Sequence, residues 1–414
     1  MQSTSYNFKI QPTLNVISQY QTLFESFLSH NSREKNILIL TDESVEFDNR
    51  VSAQYWAALS VIESNNIQVH EVDNNSRYKV YTRRKKLILF LFINLLNLVK
   101  IIPVYIRFVK DNKIKLPKYP VNLTGIMRDL IVPISPIKFE KHYSIVVANN
   151  LKSLMYAINY INYDKLIFDS HEVEMFRKRN NNSHLRSVVN LILLNKLLCK
   201  PDKVVLFSNN YNSIIKSLIY KNSLDPCVIY NNHYPKITEF KKSSNKIVFI
   251  YFGYVTSSRG IDYMIKLTEI IKDSSLNIFS CGQNNLDLHL GFEAHNVMVY
   301  NDFPYYIKLE KLIKVQSENL IFSLILHLAD NFSYRQALPN KFFQSVSARL
   351  PIICFSGTYI AEIVEKYNIG FVISPKDIDY GELDDLFNEY MLDEYMEMVS
   401  NFSIVDDLIC NKEL

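Results

Sequence analysis

The side chains able to do chemistry stand at the ends of apolar runs. Lys165-Leu166-Ile167-Phe168-Asp169 is followed by Ser170-His171-Glu172, so an imidazole and two carboxylates close a strand-like segment. In a parallel sheet they would stand at the carboxyl edge, where α/β proteins hold their ligands. Lys246-Ile247-Val248-Phe249-Ile250-Tyr251-Phe252 ends in Gly253, and glycine at a strand end lets a ligand approach the backbone closely. Arg259 follows, just ahead of a helical pattern through Met264, Leu267 and Ile271. A third group is Gln336, Pro339, Asn340, Lys341 and Gln344, where a proline-marked turn opens a helix. Helix starts beside the ends of parallel strands collect unpaired N–H groups and the positive end of the dipole, so the chemistry suggested is the binding of a phosphorylated ligand.

Those groups need elements to place them, and the apolar patterning predicts two α/β series. Residues 36–40 read as a buried strand, followed by a polar loop, a helix carrying Tyr55, Trp56, Leu59 and Ile62, and a strand at 67–70. Further strands are expected at 144–148, 165–169, 204–208 and 228–230. The lysine-rich stretch 236–244 reads as a linker between a first domain, 1–235, and a second, 245–395. Strands at 246–253, 276–282, 296–303, 320–328, 352–355 and 371–373 belong to the second domain, with helices after Asn340 and after Gly357. An acidic helical stretch closes the chain, with 396–414 as a tail.

The order L-P-N-K-x-F-x-S-x-x-A-x-L-P-I-I, from Leu338, followed by I-A-E-I-V-x-x-x-x-x-G, resembles the donor-binding segment of retaining GT-B glycosyltransferases. The group resembled is the glycogen-synthase and sucrose-synthase-like one that builds bacterial surface polysaccharides. The D-x-H-E at Asp169–Glu172 and the G-x-x-x-x-x-R-G-I-D from Gly253 are similar to two more of its stations. This resemblance implies an α/β GT-B fold, two Rossmann-like parallel-sheet domains facing a central cleft. It implies a retaining transfer from a nucleotide-sugar donor to a glycan or lipid-linked glycan, as in capsule, O-antigen or lipopolysaccharide synthesis, with no metal and no cofactor. His171, flanked by Asp169 and Glu172, would reach the donor sugar. Gly253, Arg259, Phe303, Gln336, Pro339, Asn340, Lys341 and Gln344 would hold the donor, with Arg259 and Lys341 on the diphosphate.

Three departures from the family pattern bear on chemistry. Gln336 and Gln344 stand where two glutamates are usual; glutamine keeps an acceptor oxygen but loses the charge-assisted bond. Tyr254 stands where an arginine is common. The loop after the first strand lacks the family's glycines, and Asp48-Asn49-Arg50 is in its place, so Arg50 is either a site contact or an ordinary helix-start cation. A non-catalytic GT-B subunit supporting a partner transferase and a non-hydrolysing nucleotide-sugar epimerase are the alternative readings.

The 414 residues, 48% hydrophobic and 21% charged, suit two globular domains. A net charge of +4 from 46 basic and 42 acidic side chains gives no footing for nucleic acid. The five cysteines show no metal spacing and read as buried free thiols in a reducing cytoplasm. Residues 1–30 are polar and mixed, unlike a signal peptide. Arg83-Arg84-Lys85-Lys86 precedes an apolar run to Ile106 that Asn94, Asn97, Lys100 and Pro103 interrupt, which excludes a spanning helix. Segment 83–106 either attaches in plane to the anionic inner face of the cell membrane or packs as an amphipathic helix in the first domain.

Overall fold

The structure, a computed structural model, describes residues 12, 14–28, 35–41, 48–72, 95–112, 139, 141–171, 184–218, 226–231, 246–253, 255, 259–280, 296–300, 319–328, 332–381, 383, 386–387 and 391–411. The chain divides into two compact units, Met1–Tyr230 with Asn331–Ser333, and Asn231–Asp330 with Tyr334–Leu414. The expected linker 236–244 lies outside the described residues.

Each unit is built on a six-stranded parallel sheet whose strands are the apolar runs of the sequence. In the first unit β1 (Ile37–Thr41), β2 (Ile67–Glu71), β3 (His142–Asn149), β4 (Asn162–Ser170), β5 (Lys203–Leu206) and β6 (Cys227–Val228) lie in the order β2-β1-β3-β4-β5-β6. β1 is buried along its whole length, because helices cover both faces. Each large aliphatic side chain so buried contributes about 1.5–3 kcal/mol. Chain order reverses between β1 and β3, which opens a crevice at their carboxyl ends.

The second sheet joins β7 (Ile247–Phe252), β8 (Ser275–Phe279), β9 (Val297–Tyr300), β10 (Leu320–Ile325), β11 (Ile352–Phe355) and β12 (Gly370–Ile373) in the order β12-β11-β10-β7-β8-β9. Its reversal falls between β7 and β10, which pair in register from Leu320 opposite Ile247. The helices after β11 and β12 start where local chemistry says they should. Thr358 Oγ1 accepts from the Ala361 N–H at the head of Tyr359–Tyr367, and Ser374 forms a capping box with Asp377 around Pro375.

Two expectations need correction. The last helix, Met391–Cys410, is no appended tail: Tyr395, Met398, Val399, Phe402, Val405 and Ile409 are buried, and the Tyr395 hydroxyl donates to the Ile321 carbonyl at 3.0 Å. Its apolar positions recur at helical spacing, and the acidic side chains between them had masked that face. The cysteines are not uniformly buried. Cys354, inside β11, is buried, but Cys199 and Cys410 are exposed because each lies at the end of a helix; Cys281 lies outside the described residues.

Of segment 83–106, residues 83–94 lie outside the described residues. The helix Leu95–Asp111 turns Ile101 and Tyr105 into the first unit's core, while Val99, Ile102 and Ile106 are exposed. No helix among the described residues is long and apolar enough to cross a membrane.

Candidate functional site

The switch point of the second sheet gathers four of the expected residues. Gly253, directly after β7, has φ +122, a conformation that side chains other than hydrogen rarely adopt. A Cβ there would stand 3.2 Å from Lys341 Cε, 3.7 Å from Lys341 Nζ and 3.3 Å from Arg259 Nη1. Two cations from two different helix starts thus close on one glycine at the carboxyl edge. Gln344, one turn after Lys341 on the Asn340–Ala348 helix, is buried; Gln336 and Pro339 are half-buried and Asn340 is exposed. Asn340 Oδ1 accepts from Asn231 Nδ2 at 2.9 Å.

What holds the cations in place was not visible beforehand. Lys341, 5% exposed, donates to the Tyr251 hydroxyl at 3.0 Å and to His327 Nε2 at 3.1 Å, and its ammonium lies 4.2 Å from the Tyr251 ring centroid. Burial alone would lower the Arg259 guanidinium, but interactions with the Tyr251 and Tyr334 hydroxyls hold it above its ordinary value. His327 is pushed well below the usual histidine range by burial, with Lys341 and Arg259 adding to the effect. The helix that follows Arg259, Ile261–Ile270, is seated by Gly260 (φ +80), where a Cβ would fall 2.1 Å from the Leu326 carbonyl oxygen. Only glycine lets that helix start so close to β10.

In the first unit, Asp169 and His171 stand close together but differ in burial. Asp169 is fully buried. Its carboxylate pairs with Arg50 Nη2 at 2.6 Å and accepts from Gln54 Nε2 at 2.7 Å and from the Tyr20 hydroxyl. Asp169 lies next to His171 at the end of β4, its Oδ1 4.0 Å from His171 Nε2, but it is buried under the helices Leu14–Phe27 and Asn49–Val61 and bound by their side chains. Arg50 is neither a surface cation nor an edge group. At 2% exposure it joins Asp169 to the Ile229 carbonyl, which its Nη1 meets at 2.7 Å, while Asp48 caps its helix.

His171 is at the edge. Its Nε2 lies 2.8 Å from Asn149 Oδ1, an oxygen that only accepts, so Nε2 carries the proton; Nδ1 lies 3.5 Å from Asp48 Oδ2. Asn149 is held in turn by Gln54 and the Leu40 carbonyl, at the β1/β3 switch point. Glu172, Tyr254 and Phe303 lie outside the described residues.

Tyr251, His327 and Tyr334 are the members that sequence reasoning missed, and Gly260 is read there only as part of the R-G-I-D motif. The one available signal was His327, a polar residue at the end of an apolar run read straight through as strand. A groove of about 940 Å³ lined by Lys246, Lys272, Asp273, Asn296 and Asn319 lies at the amino ends of β7 to β10, the opposite edge from Gly253. It lacks the convergence of strand ends and helix starts described above, and the Gly253 edge is the better candidate. No group of three or more His, Cys, Asp or Glu among the described residues is arranged to hold a metal ion.

No protein-family model and no curated protein matches the chain. Among solved structures, sucrose-phosphate synthase from Thermosynechococcus elongatus is similar at 10% identity and a TM-score of 0.52, over 92% of this chain and 97% of that one. HepE of Anabaena, in complex with UDP and glucose, is similar at 12% identity and a TM-score of 0.49, over 92% and 97%. TarM is similar at 14% identity and a TM-score of 0.40, over 65% of this chain and 50% of TarM, so the chain spans about half of TarM's length. With the likeness to the synthase and two parallel six-stranded sheets, each reversing once, the chain has the GT-B fold.

Proposed function

We propose that this chain is a glycosyltransferase that moves a sugar from a nucleotide-sugar donor to a glycan or lipid-linked glycan of a bacterial surface polysaccharide, with retention and without a metal or cofactor. The observation that carries the reading is the approach of Arg259 and Lys341 to Gly253 at the β7/β10 switch point. Breaking a glycosyl–phosphate bond leaves negative charge on a diphosphate, and fixed cations where that charge develops are the largest single contribution such a site can make. In this reading His171 orients the donor sugar and Gln344 holds ribose. Asp169 keeps Arg50 and the underlying helices in position. The exposed Val99, Ile102 and Ile106, on a helix with Lys100, Arg107 and Lys110, support contact with an anionic leaflet at the cytoplasmic face.

A panel of sugar nucleotides, incubated with and without a lipid-linked acceptor mixture, tests the activity. One donor should release its nucleoside diphosphate in an acceptor-stimulated, chelator-insensitive reaction, and NMR of the product should show the donor's anomeric configuration. Binding without turnover would instead support the non-catalytic subunit, which Gln336 and Gln344 in place of carboxylates would suit. Conversion of the donor sugar without release would indicate an epimerase. Neither binding nor turnover would remove the transferase reading.

A further inference from the structure

We infer that His327 is a third binding residue of the Gly253 site, its neutral imidazole donating a hydrogen bond from Nδ1–H to the phosphate oxygens held by Arg259 and Lys341. This rests on the proposed diphosphate site and adds to it a residue that no motif had marked. The tautomer follows from Lys341. An ammonium has three donors and no acceptor, so His327 Nε2, 3.1 Å away, must present its lone pair, and the proton of the neutral ring sits on Nδ1. His327 is 5% exposed, and Nδ1 is buried without a hydrogen-bond partner among the described residues. Such orphaned donors are rare in folded proteins and call for a specific reason.

The position of His327 supplies one. It follows β10 on the β7 side of the switch point, its ring 5.1 Å from that of Tyr334 and bonded to the same Lys341 that closes on Gly253. The groups facing it are two cations, Lys341 and Arg259, so protonating it would set a third positive charge beside them. A neutral N–H donor is what such a place can keep, and a diphosphate oxygen is the acceptor it lacks.

Inorganic pyrophosphate is the probe. In protein with ¹⁵N-labelled histidine, the His327 resonances should show Nδ1 protonated and Nε2 bare, and pyrophosphate should shift Nδ1–H. His327→Gln, which keeps an acceptor for Lys341 but loses the donor at Nδ1, should bind pyrophosphate roughly 2- to 10-fold more weakly. His327→Asn, which puts an amide N–H near the Nδ1 position, should recover part of that loss. Arg259→Ala serves as the control for the site itself. If pyrophosphate binds in an Arg259-dependent way but leaves Nδ1–H unmoved and ignores both His327 variants, this inference falls and the diphosphate site stands. If pyrophosphate does not bind at all, both fall. The resonance measurement uses the unaltered protein, so it decides even if a variant misfolds.

Discussion

Lys341 and Asp169 are both buried charges, and their surroundings use them differently. Asp169 sits in a closed network with Arg50, Gln54 and Tyr20, and removing one member of a buried pair leaves the other charge uncompensated. Asp169→Ala should therefore cost about 3–5 kcal/mol of first-unit stability in urea unfolding. A loss under about 1 kcal/mol would mean that the network contributes little. Lys341 leans instead on a phenol and an imidazole, contacts that hold a cation in place without cancelling its charge. Acid should expose this arrangement. The pKa of His327 is depressed in the folded state, and so is that of His70 in the first unit, in both cases by burial first. The unfolded chain then binds more protons just below the ordinary histidine value of about 6.5, so stability should be full above it and fall as pH drops through it. His327→Gln should flatten that slope for the second unit; an unchanged slope would contradict neutral burial of the ring.

Elements set the distances between these residues, and here the sequence was legible only in part. The buried strands could be read from runs such as Ile352–Phe355, and helix starts from Pro339-Asn340 and Ser356-Gly357, because burial on two faces and turn chemistry leave local marks; Ser374-Pro375, which a helix follows, reads only as the end of a strand. The partners of the site residues leave none. Tyr251 belongs to β7, His327 follows β10, and they meet only because the sheet order sets β10 beside β7. Arg50 and Asp169, 119 positions apart, are joined through a helix start and a strand end. Gly260 gives the sharpest element-scale test. Gly260→Ala would drive a Cβ into the Leu326 carbonyl, displace the start of the Ile261–Ile270 helix and carry Arg259 away from Gly253. Diphosphate affinity should fall about as far as in Arg259→Ala, with loss of second-unit stability. By contrast, Tyr395→Phe should cost only about 0.5–1.5 kcal/mol, the worth of its bond to Ile321, and leave affinity alone.

At the scale of the whole molecule, two GT-B sheets each offer a switch-point edge, and their chemistry differs: amides and an imidazole on the first, cations and a neutral histidine on the second. Membrane contact is a separate matter, tested by sedimentation with vesicles. Replacing Ile102 and Ile106 together with aspartate should abolish binding to anionic vesicles and leave soluble turnover unchanged, whereas no binding by the unaltered protein at low salt would remove the contact. The claim that the second unit is built around a diphosphate is tested most directly by calorimetry of the intact protein with a nucleoside diphosphate and with the bare nucleoside. A charge-assisted bond to phosphate is worth about 1.5–3 kcal/mol, so Arg259→Ala and Lys341→Ala should each weaken diphosphate binding roughly 10- to 150-fold and spare the nucleoside, while Gln344→Ala weakens both slightly. Unchanged diphosphate affinity in both cation variants would contradict the account.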